Sequence, residues 1–127
     1  MRNPITALGG TEMEVLRTVW SRGRATARDV HDDISARRRV AYTTVMTVLK
    51  NLADKGYLRY DVEGTAYVYT AARRPDEVCG TLLSSVLTKV FGGSPAMLVQ
   101  TLVQQETLTE ADRDEIRRLL DALDDDA

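Results

Sequence analysis

The chain has 127 residues, 43% of them hydrophobic, and a formal net charge of −2, which allows one compact domain or a small domain with an appendage. No stretch approaches the roughly 18 consecutive apolar residues of a membrane span, and the N-terminus lacks the apolar segment of a signal peptide. One cysteine and one histidine offer neither an internal disulfide nor a zinc or copper cluster, so we expect a cytoplasmic protein without metal, cofactor or membrane insertion.

The net charge conceals two halves of opposite sign. Residues 1–74 hold 13 Lys or Arg against 8 Asp or Glu, a net of +5, whereas residues 75–127 hold 4 against 11, a net of −7. We therefore predict two domains, 1–74 and 75–127. A basic domain joined to an acidic one hints at nucleic-acid binding, although ordinary surfaces also carry a net charge of this size.

Two short helices are predicted first. Each begins with a threonine followed three residues later by an acid, the spacing of a capping box, at Thr11 and at Thr26. The first helix is predicted to run from about Glu12 to Ser21 and to end at Gly23, and the second to end near Ser35. The acids of the two boxes are Glu14 and Asp29, and the apolar stripes hold Met13, Leu16, Val19, Trp20, Val30 and Ile34.

The segment from Arg37 to Lys55 predicts a third helix with two different faces. Helical spacing places Val45, Val48, Leu49 and Leu52 on a buried stripe and Thr43, Met46, Thr47 and Lys50 on the opposite side. Hydroxyls bind phosphates or base edges, methyl groups contact the thymine methyl, and arginines neutralise phosphates. The outer face is therefore predicted to enter a DNA groove.

We predict DNA contacts from this helix and from nearby cations. In isolation the run Arg37–Arg39 is as consistent with a solvated charged surface as with phosphate contact, but its place just before the helix favours the contact. Groove and nearby phosphate contacts are assigned to Tyr42, Thr43, Thr44, Met46, Thr47 and Lys50, and backbone contacts to Arg38, Arg39 and Arg59.

A hairpin is predicted after the third helix, which Gly56 stops in the position of a left-handed cap. Residues 57–62 and 66–70 are rich in Tyr and Val and flank a turn of Glu63, Gly64 and Thr65. Three helices followed by a hairpin predict a mainly α fold with a small β-wing, the winged helix-turn-helix, which offers its third helix to the major groove.

Three further amphipathic helices are predicted in the acidic half. The first runs from about Asp76 to Phe91, Leu98–Val103 mark the second, and Thr109 caps the third. Such short helices bury little surface by themselves, so we predict a three-helix dimerisation domain covered by a second copy of the chain. A two-fold dimer implies a pseudo-palindromic DNA site. The predicted dimer contacts are Leu82, Leu83, Val86, Leu87, Val90, Leu98, Leu102, Ile116, Leu119 and Leu120.

No enzymatic activity is expected. The sequence has no phosphate-binding loop, serine-hydrolase elbow, zinc-protease motif or EF-hand, and its carboxylates lack apolar surroundings. We interpret His31 as a surface residue rather than a ligand and Cys79 as a small hydrophobic residue.

The run TEMEVLRTVWSRGRATARDVHDDI, followed by AYTTVMTVLKNLADKGYL and a wing ending YVYTA, resembles the penicillinase-repressor (BlaI/MecI) family of bacterial winged-helix repressors. The resemblance continues through LVQTLVQQETLTEADRDEIRRLLDAL and so covers most of the chain. It implies a homodimer on double-stranded DNA operators with TACA-like and TGTA-like half-sites, repressing β-lactamase, methicillin-resistance or other envelope-stress or metal-response genes. It also implies inactivation by cleavage of the dimerisation domain through a membrane sensor-peptidase pathway.

The sequence departs from that family at several positions. Met46 stands where well-known staphylococcal members carry a basic residue, and Asp61 and Glu63 place acids on the wing. The cleaved Asn-Phe pair of those members corresponds to Thr101 and Leu102. Alternatively, these two are core residues, and another signal releases the protein from DNA. The clustered cysteines of the copper-responsive branch are absent. A winged-helix module that binds protein instead of DNA is the alternative that acids on the wing would suit.

Overall fold

The computed structural model describes residues 8–125, which form six helices and three strands. In chain order these are α1 (Gly10–Arg22), β1 (Arg24–Ala25), α2 (Ala27–Ser35), α3 (Tyr42–Asp54), β2 (Leu58–Glu63), β3 (Ala66–Ala71), α4 (Pro75–Lys89), α5 (Pro95–Gln104) and α6 (Glu110–Asp125). The predicted fold class, a winged helix-turn-helix followed by three helices, is confirmed. Two compact units divide between Ser85 and Val86, inside α4, whereas the predicted domain boundary lies at the start of α4.

The N-terminus of α1 is closed by a different pair from the one predicted. The backbone N–H of Gly9 donates to Glu12 Oε1 over 3.3 Å, and the helix starts at Gly10. The predicted box of Thr11 and Glu14 is therefore wrong. Because Glu12 satisfies the free N–H at the cap, Glu14 is available for a contact with another part of the fold.

The capping boxes predicted for α2 and α6 are confirmed. At α2 the Thr26 N–H donates to Asp29 Oδ2 over 3.0 Å, and the Asp29 N–H donates to Thr26 Oγ1 over 3.1 Å. The same reciprocal pair joins Thr109 and Asp112 over 3.1 and 3.0 Å. Each box satisfies two N–H groups that the first turn of a helix leaves unpaired.

Helix α3 begins at Tyr42, and the arginines before it lie in the turn that follows α2. Its apolar stripe is buried as predicted, with Val45, Leu49 and Leu52 fully inaccessible and Val48 9% exposed. This stripe joins one core with side chains from α1, α2, the sheet and α4. Other core members are Leu8, Val15, Leu16, Val19, Ala25, Val30, Ile34, Tyr57, Leu58, Tyr69 and Val78.

Helix α3 ends in a Schellman motif, which confirms the predicted left-handed cap. Gly56 has φ +87°, and its N–H donates to the Ala53 carbonyl over 3.0 Å. The Tyr57 N–H donates to the Leu52 carbonyl over 2.9 Å, and both of these side chains are buried. The motif thus turns the chain from α3 into β2 while satisfying two terminal carbonyls.

The sheet contains the predicted hairpin and one strand that was not predicted. Strands β2 and β3 are antiparallel, with Glu63 opposite Ala66 across a turn of Gly64 and Thr65. Strand β1 pairs with β3 and gives the order β1-β3-β2. A strand of two residues between helices has no period-two pattern, so the sequence carries no signal for it.

The first turns of α4 belong to the N-terminal unit. Val78 is 2% exposed within the core, and Leu82 is partly buried against it. The sequence pattern predicts an apolar stripe from Cys79 to Phe91 that has no partner in the N-terminal half, and this prediction is wrong at Leu82. The second unit differs, since no residue in the described range 86–125 is buried.

We expect Gly56→Ala to destabilise the fold by about 1–2 kcal/mol, because an L-residue is strained at this positive φ. Gly80→Ala is the matched control, since Gly80 is helical and a Cβ there meets no atom within 4 Å. The control should stabilise the protein by about 0.5–1 kcal/mol. Urea denaturation measures both free energies of unfolding, and equal effects would contradict the cap.

Candidate DNA interface

The outward face of α3 is an exposed row of side chains without internal partners. Within residues 8–125, the side chains of Thr43, Thr44, Thr47 and Lys50 make no hydrogen bond or ion pair, and Met46 is 49% exposed. The stripe on the other side fixes the helix rotation, so these groups point into solvent together. Such a row offers hydroxyl donors and acceptors, one cation and several methyl groups to a ligand.

Tyr42, at the start of α3, is held in place by His31. Their rings meet edge to face with centroids 5.5 Å apart, which leaves Tyr42 41% exposed. His31 Nε2 lies 3.0 Å from the Val40 carbonyl oxygen, to which it donates, and 3.2 Å from Ser35 Oγ. His31 is thus half-buried and ties α2 to the turn before α3, a structural role that the sequence did not reveal.

The three arginines of this turn differ in what they bind. The Arg38 Nε and Nη2 groups both donate to Glu14 Oε1, over 3.0 and 2.7 Å. Arg37 Nη2 donates to Glu14 Oε2 over 3.1 Å. Arg39 is exposed and has no partner among the described side chains. Of the three, Arg39 is therefore the one whose charge is available to a phosphate.

Glu14 is an ionised acid at the junction of α1 and this turn. Its side chain is 16% exposed. The Arg38 guanidinium, aided by Arg37, holds the pKa of Glu14 below its ordinary value, although partial burial acts in the opposite direction. The carboxylate therefore remains charged at neutral pH and compensates two neighbouring cations.

A second ion pair fixes α1 to α2. Arg22 donates from Nε and Nη2 to the two carboxylate oxygens of Asp33, over 2.7 and 2.8 Å. Arg22 thereby lowers the pKa of Asp33, against a smaller opposing effect of burial. This planar two-bond geometry sets the angle between the groups as well as their distance.

The wing carries less free charge than its sequence suggests. Glu63 forms an ion pair with Arg24 of β1, and this leaves Asp61 as the wing acid without such a pair among the described residues. Arg59 is exposed and makes one long hydrogen bond, 3.4 Å from Nη2 to the Ala72 carbonyl. Arg24 was missed by the sequence analysis because its partner lies 39 residues away on a strand that was also missed.

The residues predicted to form the dimer are partly exposed apolar groups of α4–α6. Leu83, Val90, Leu119 and Leu120 are 54–68% exposed. Within the second unit, Val99, Leu102, Val103, Leu108 and Ile116 line an apolar groove of about 650 Å³ between α5 and α6. Of the remaining predicted contacts, Leu82 packs partly on the N-terminal core, and Val86, Leu87 and Leu98 are half-buried.

The predicted cleavage pair lies inside α5. Thr101 is half-buried, and its Oγ1 donates to the Met97 carbonyl over 2.9 Å, while Leu102 is 36% exposed. Over residues 8–125 no three His, Cys, Asp or Glu side chains are grouped as a metal would need. None of the helices in that range is long and apolar enough to span a bilayer.

Two named relatives extend over most of the chain. The transcriptional regulator BlaI of Mycobacterium tuberculosis is 36% identical over 122 residues, which cover 94% of this chain and 87% of that protein. The methicillin resistance regulatory protein MecI of Staphylococcus aureus is 22% identical over 120 residues, which cover 94% of this chain and 98% of MecI. Both relatives are named as regulators.

Solved structures share the fold. The DNA-binding domain of the repressor BlaI matches 60% of this chain and 90% of that domain, with 25% identity and a TM-score of 0.52. A mutant MarR from E. coli in complex with operator DNA matches 91% of this chain and 75% of MarR, with 15% identity and a TM-score of 0.53. Because the sequence model of the penicillinase repressor family matches residues 8–122, the chain belongs to this family of BlaI/MecI-like transcriptional repressors.

Proposed function

We propose that this repressor binds double-stranded operator DNA as a homodimer and that the outward face of α3 reads the bases. The observation that carries the proposal is the row of unpartnered polar groups opposite a buried stripe. A third helix presented in this way is the element that winged helix-turn-helix proteins insert into the major groove. The DNA-binding relatives BlaI and MarR support the same assignment.

The proposed contacts divide into two groups. Thr43, Thr44, Met46, Thr47 and Lys50, with Tyr42 at the start of the helix, lie at the groove. Arg39 and Arg59 supply charge for the phosphate backbone, since both guanidinium groups are exposed. Met46 offers a thioether and methyl group, so we expect an apolar contact at its base pair, such as with a thymine methyl.

Substitution should separate base reading from phosphate binding. Thr47→Ala should lose about 1–3 kcal/mol on the specific site and little on random DNA, because a base contact is specific to sequence. Arg39→Ala should weaken both kinds of DNA and reduce the slope of log K against log salt by about 0.9. Fluorescence anisotropy at several salt concentrations measures both effects.

Lys89→Ala is the matched control for Arg39→Ala, since Lys89 is an exposed cation at the end of α4. Lys89→Ala should leave the slope of log K against log salt unchanged. If the folded wild-type chain retained no genomic fragment in gel shifts at low salt, the protein-binding alternative would replace this proposal.

We propose further that the apolar faces of α4–α6 are covered by a second copy of the chain. In the range 86–125 no side chain is buried, and the leucines Leu119, Leu120 and Leu123 are at least 57% exposed. Burial of such apolar surface in an interface would stabilise the dimer by about 25 cal/mol per Å² removed from water. A two-fold axis lets identical stripes cover each other and sets two α3 helices on two half-sites.

Leu120→Glu should convert the full-length dimer to a monomer, because it places a charge on the proposed apolar interface. Val62→Glu is the control, since Val62 is 59% exposed on the wing, outside that unit. Sedimentation at tens of micromolar measures both. A wild-type chain that sediments as a monomer would contradict the dimer and the palindromic operator with it.

For release from DNA we propose cleavage between Thr101 and Leu102, downstream of a membrane sensor-peptidase pathway. A protease needs extended backbone, so α5 must first open locally, which is feasible for a helix with no buried residue. The cut separates α6 from α4 and so removes the dimer contacts of the second unit. Each recognition helix is then left on its own half-site without the avidity of the pair.

Mass spectrometry of the protein from cells treated with a β-lactam should therefore find a break after Thr101. The winged unit should persist, since its core does not include α5 or α6. An intact chain in cells whose target genes are induced would rule cleavage out and would favour release by another signal.

A further inference from the structure

The turn before α3 is attached to α1 through one carboxylate. Glu14 receives three hydrogen bonds of 2.7–3.1 Å from Arg37 and Arg38. Arg38 also donates from Nη2 to Thr11 Oγ1 and from Nη1 to the Arg39 carbonyl, each over 3.3 Å. Four of the five N–H groups of this guanidinium therefore have partners within the protein.

We infer that Glu14 is a positioning residue for the recognition helix and that Arg38 affects DNA binding through Glu14 rather than by binding a phosphate. This inference rests on the proposed DNA-binding function. The sequence position of Arg38 predicts a phosphate ligand, whereas the inference gives Arg38 an internal role. Arg39 remains the proposed phosphate ligand of the arginine run 37–39.

The geometry favours a positioning role because the bonds of Arg37 and Arg38 to Glu14 join the turn to α1. Its other hydrogen bonds, apart from that of Arg38 to Thr11, run to α2, to α3 or within the turn. Residues 36–41 lie between α2 and α3 outside both helices. On the side of α2, His31 is bonded to the Val40 carbonyl, and Arg37 Nη1 donates to the Asp33 carbonyl over 3.2 Å. Val40 also packs against the core. Glu14 and His31 thus hold the two ends of the turn, and α3 begins two residues after Val40. Loosening either end changes how Tyr42 and Thr43 meet the groove.

The cost of breaking the Arg38–Glu14 contact also argues against Arg38 as a phosphate ligand. To bind a phosphate, Arg38 would have to release Glu14 and leave a half-buried carboxylate with Arg37 alone. Removing one partner of a charge-assisted, two-bond contact costs more than a solvent-exposed pair normally contributes. Arg39 has no internal side-chain bond to break, so a phosphate contact from Arg39 costs less free energy than one from Arg38.

A double-mutant cycle tests the inference. Glu14→Ala, Arg38→Ala and the double variant are titrated against the genomic fragment that the wild-type chain retains in gel shifts. Each single variant should bind about tenfold more weakly, and the double variant also about tenfold, because both remove one shared contact. The slope of log K against log salt should stay at its wild-type value in Arg38→Ala, unlike in Arg39→Ala.

Asp121→Ala is the control for charge, since it removes an exposed acid of α6 that has no ion pair within residues 8–125. If Glu14 acted only through net charge, both acid-to-alanine variants would tighten DNA binding equally, which would overturn the inference. Thermal unfolding checks that each variant folds, and Glu14→Gln, which keeps the side-chain shape, replaces Glu14→Ala if that variant does not fold.

The inference is also overturned if Arg38→Ala lowers the salt slope by about 0.9 in the otherwise wild-type chain, because Arg38 would then bind a phosphate directly. Independent, multiplicative losses in the double variant would have the same meaning. Failure of the proposed function looks different, since the wild-type chain itself would then retain no DNA fragment.

Discussion

Burial of one stripe of α3 is the constraint on which the rest of the N-terminal unit depends. Val45, Leu49 and Leu52 are fully inaccessible, and each contributes about 1.5–3 kcal/mol by leaving water. Together these terms are comparable to the whole stability of a small domain. The helix therefore has one stable rotation, and the identity of its outward residues is free to be set by the ligand rather than by folding.

Fewer cationic side chains are free of internal ion pairs than the composition suggests. Residues 1–74 have a net charge of +5, yet many of their cations are used inside the fold. Arg22 binds Asp33, Arg24 binds Glu63, and Arg38 binds Glu14. These pairs also neutralise acids that would otherwise repel phosphates. What remains beside α3 is a small number of exposed cations, Arg39 and Lys50 among them, so orientation rather than bulk charge has to supply specificity.

The sequence predicted those features whose signal is local. The period of α3, the Gly56 cap and the Thr26 box each depend on residues within one or two turns of helix, and all three are confirmed. The α1 cap was wrong because Glu12 and Glu14 both follow a suitable residue at a spacing of three, and only the fold decides between them.

The features that escaped prediction depend on distant partners. Arg38 meets Glu14 from 24 residues away, so its sequence neighbours cannot distinguish a phosphate ligand from an internal contact. Val78 and Leu82 look like part of a continuous amphipathic helix, yet they complete the N-terminal core. For the same reason the contacts proposed on α3 rest on exposure and chemistry, since the DNA that would define them is another molecule.

The two units differ in what their folding requires, and the proposed regulation depends on this difference. The N-terminal unit has a closed core of its own, whereas the described part of the second unit buries no side chain and leaves its leucines exposed. Pairing through such a unit raises affinity for a two-part DNA site by the effective concentration of the second half, on the order of 10² to 10⁴. In the proposed dimer, an event that acts on the second unit alone therefore changes operator occupancy through assembly. The proposed base-reading face of α3 then needs no conformational change for the repressor to leave its site.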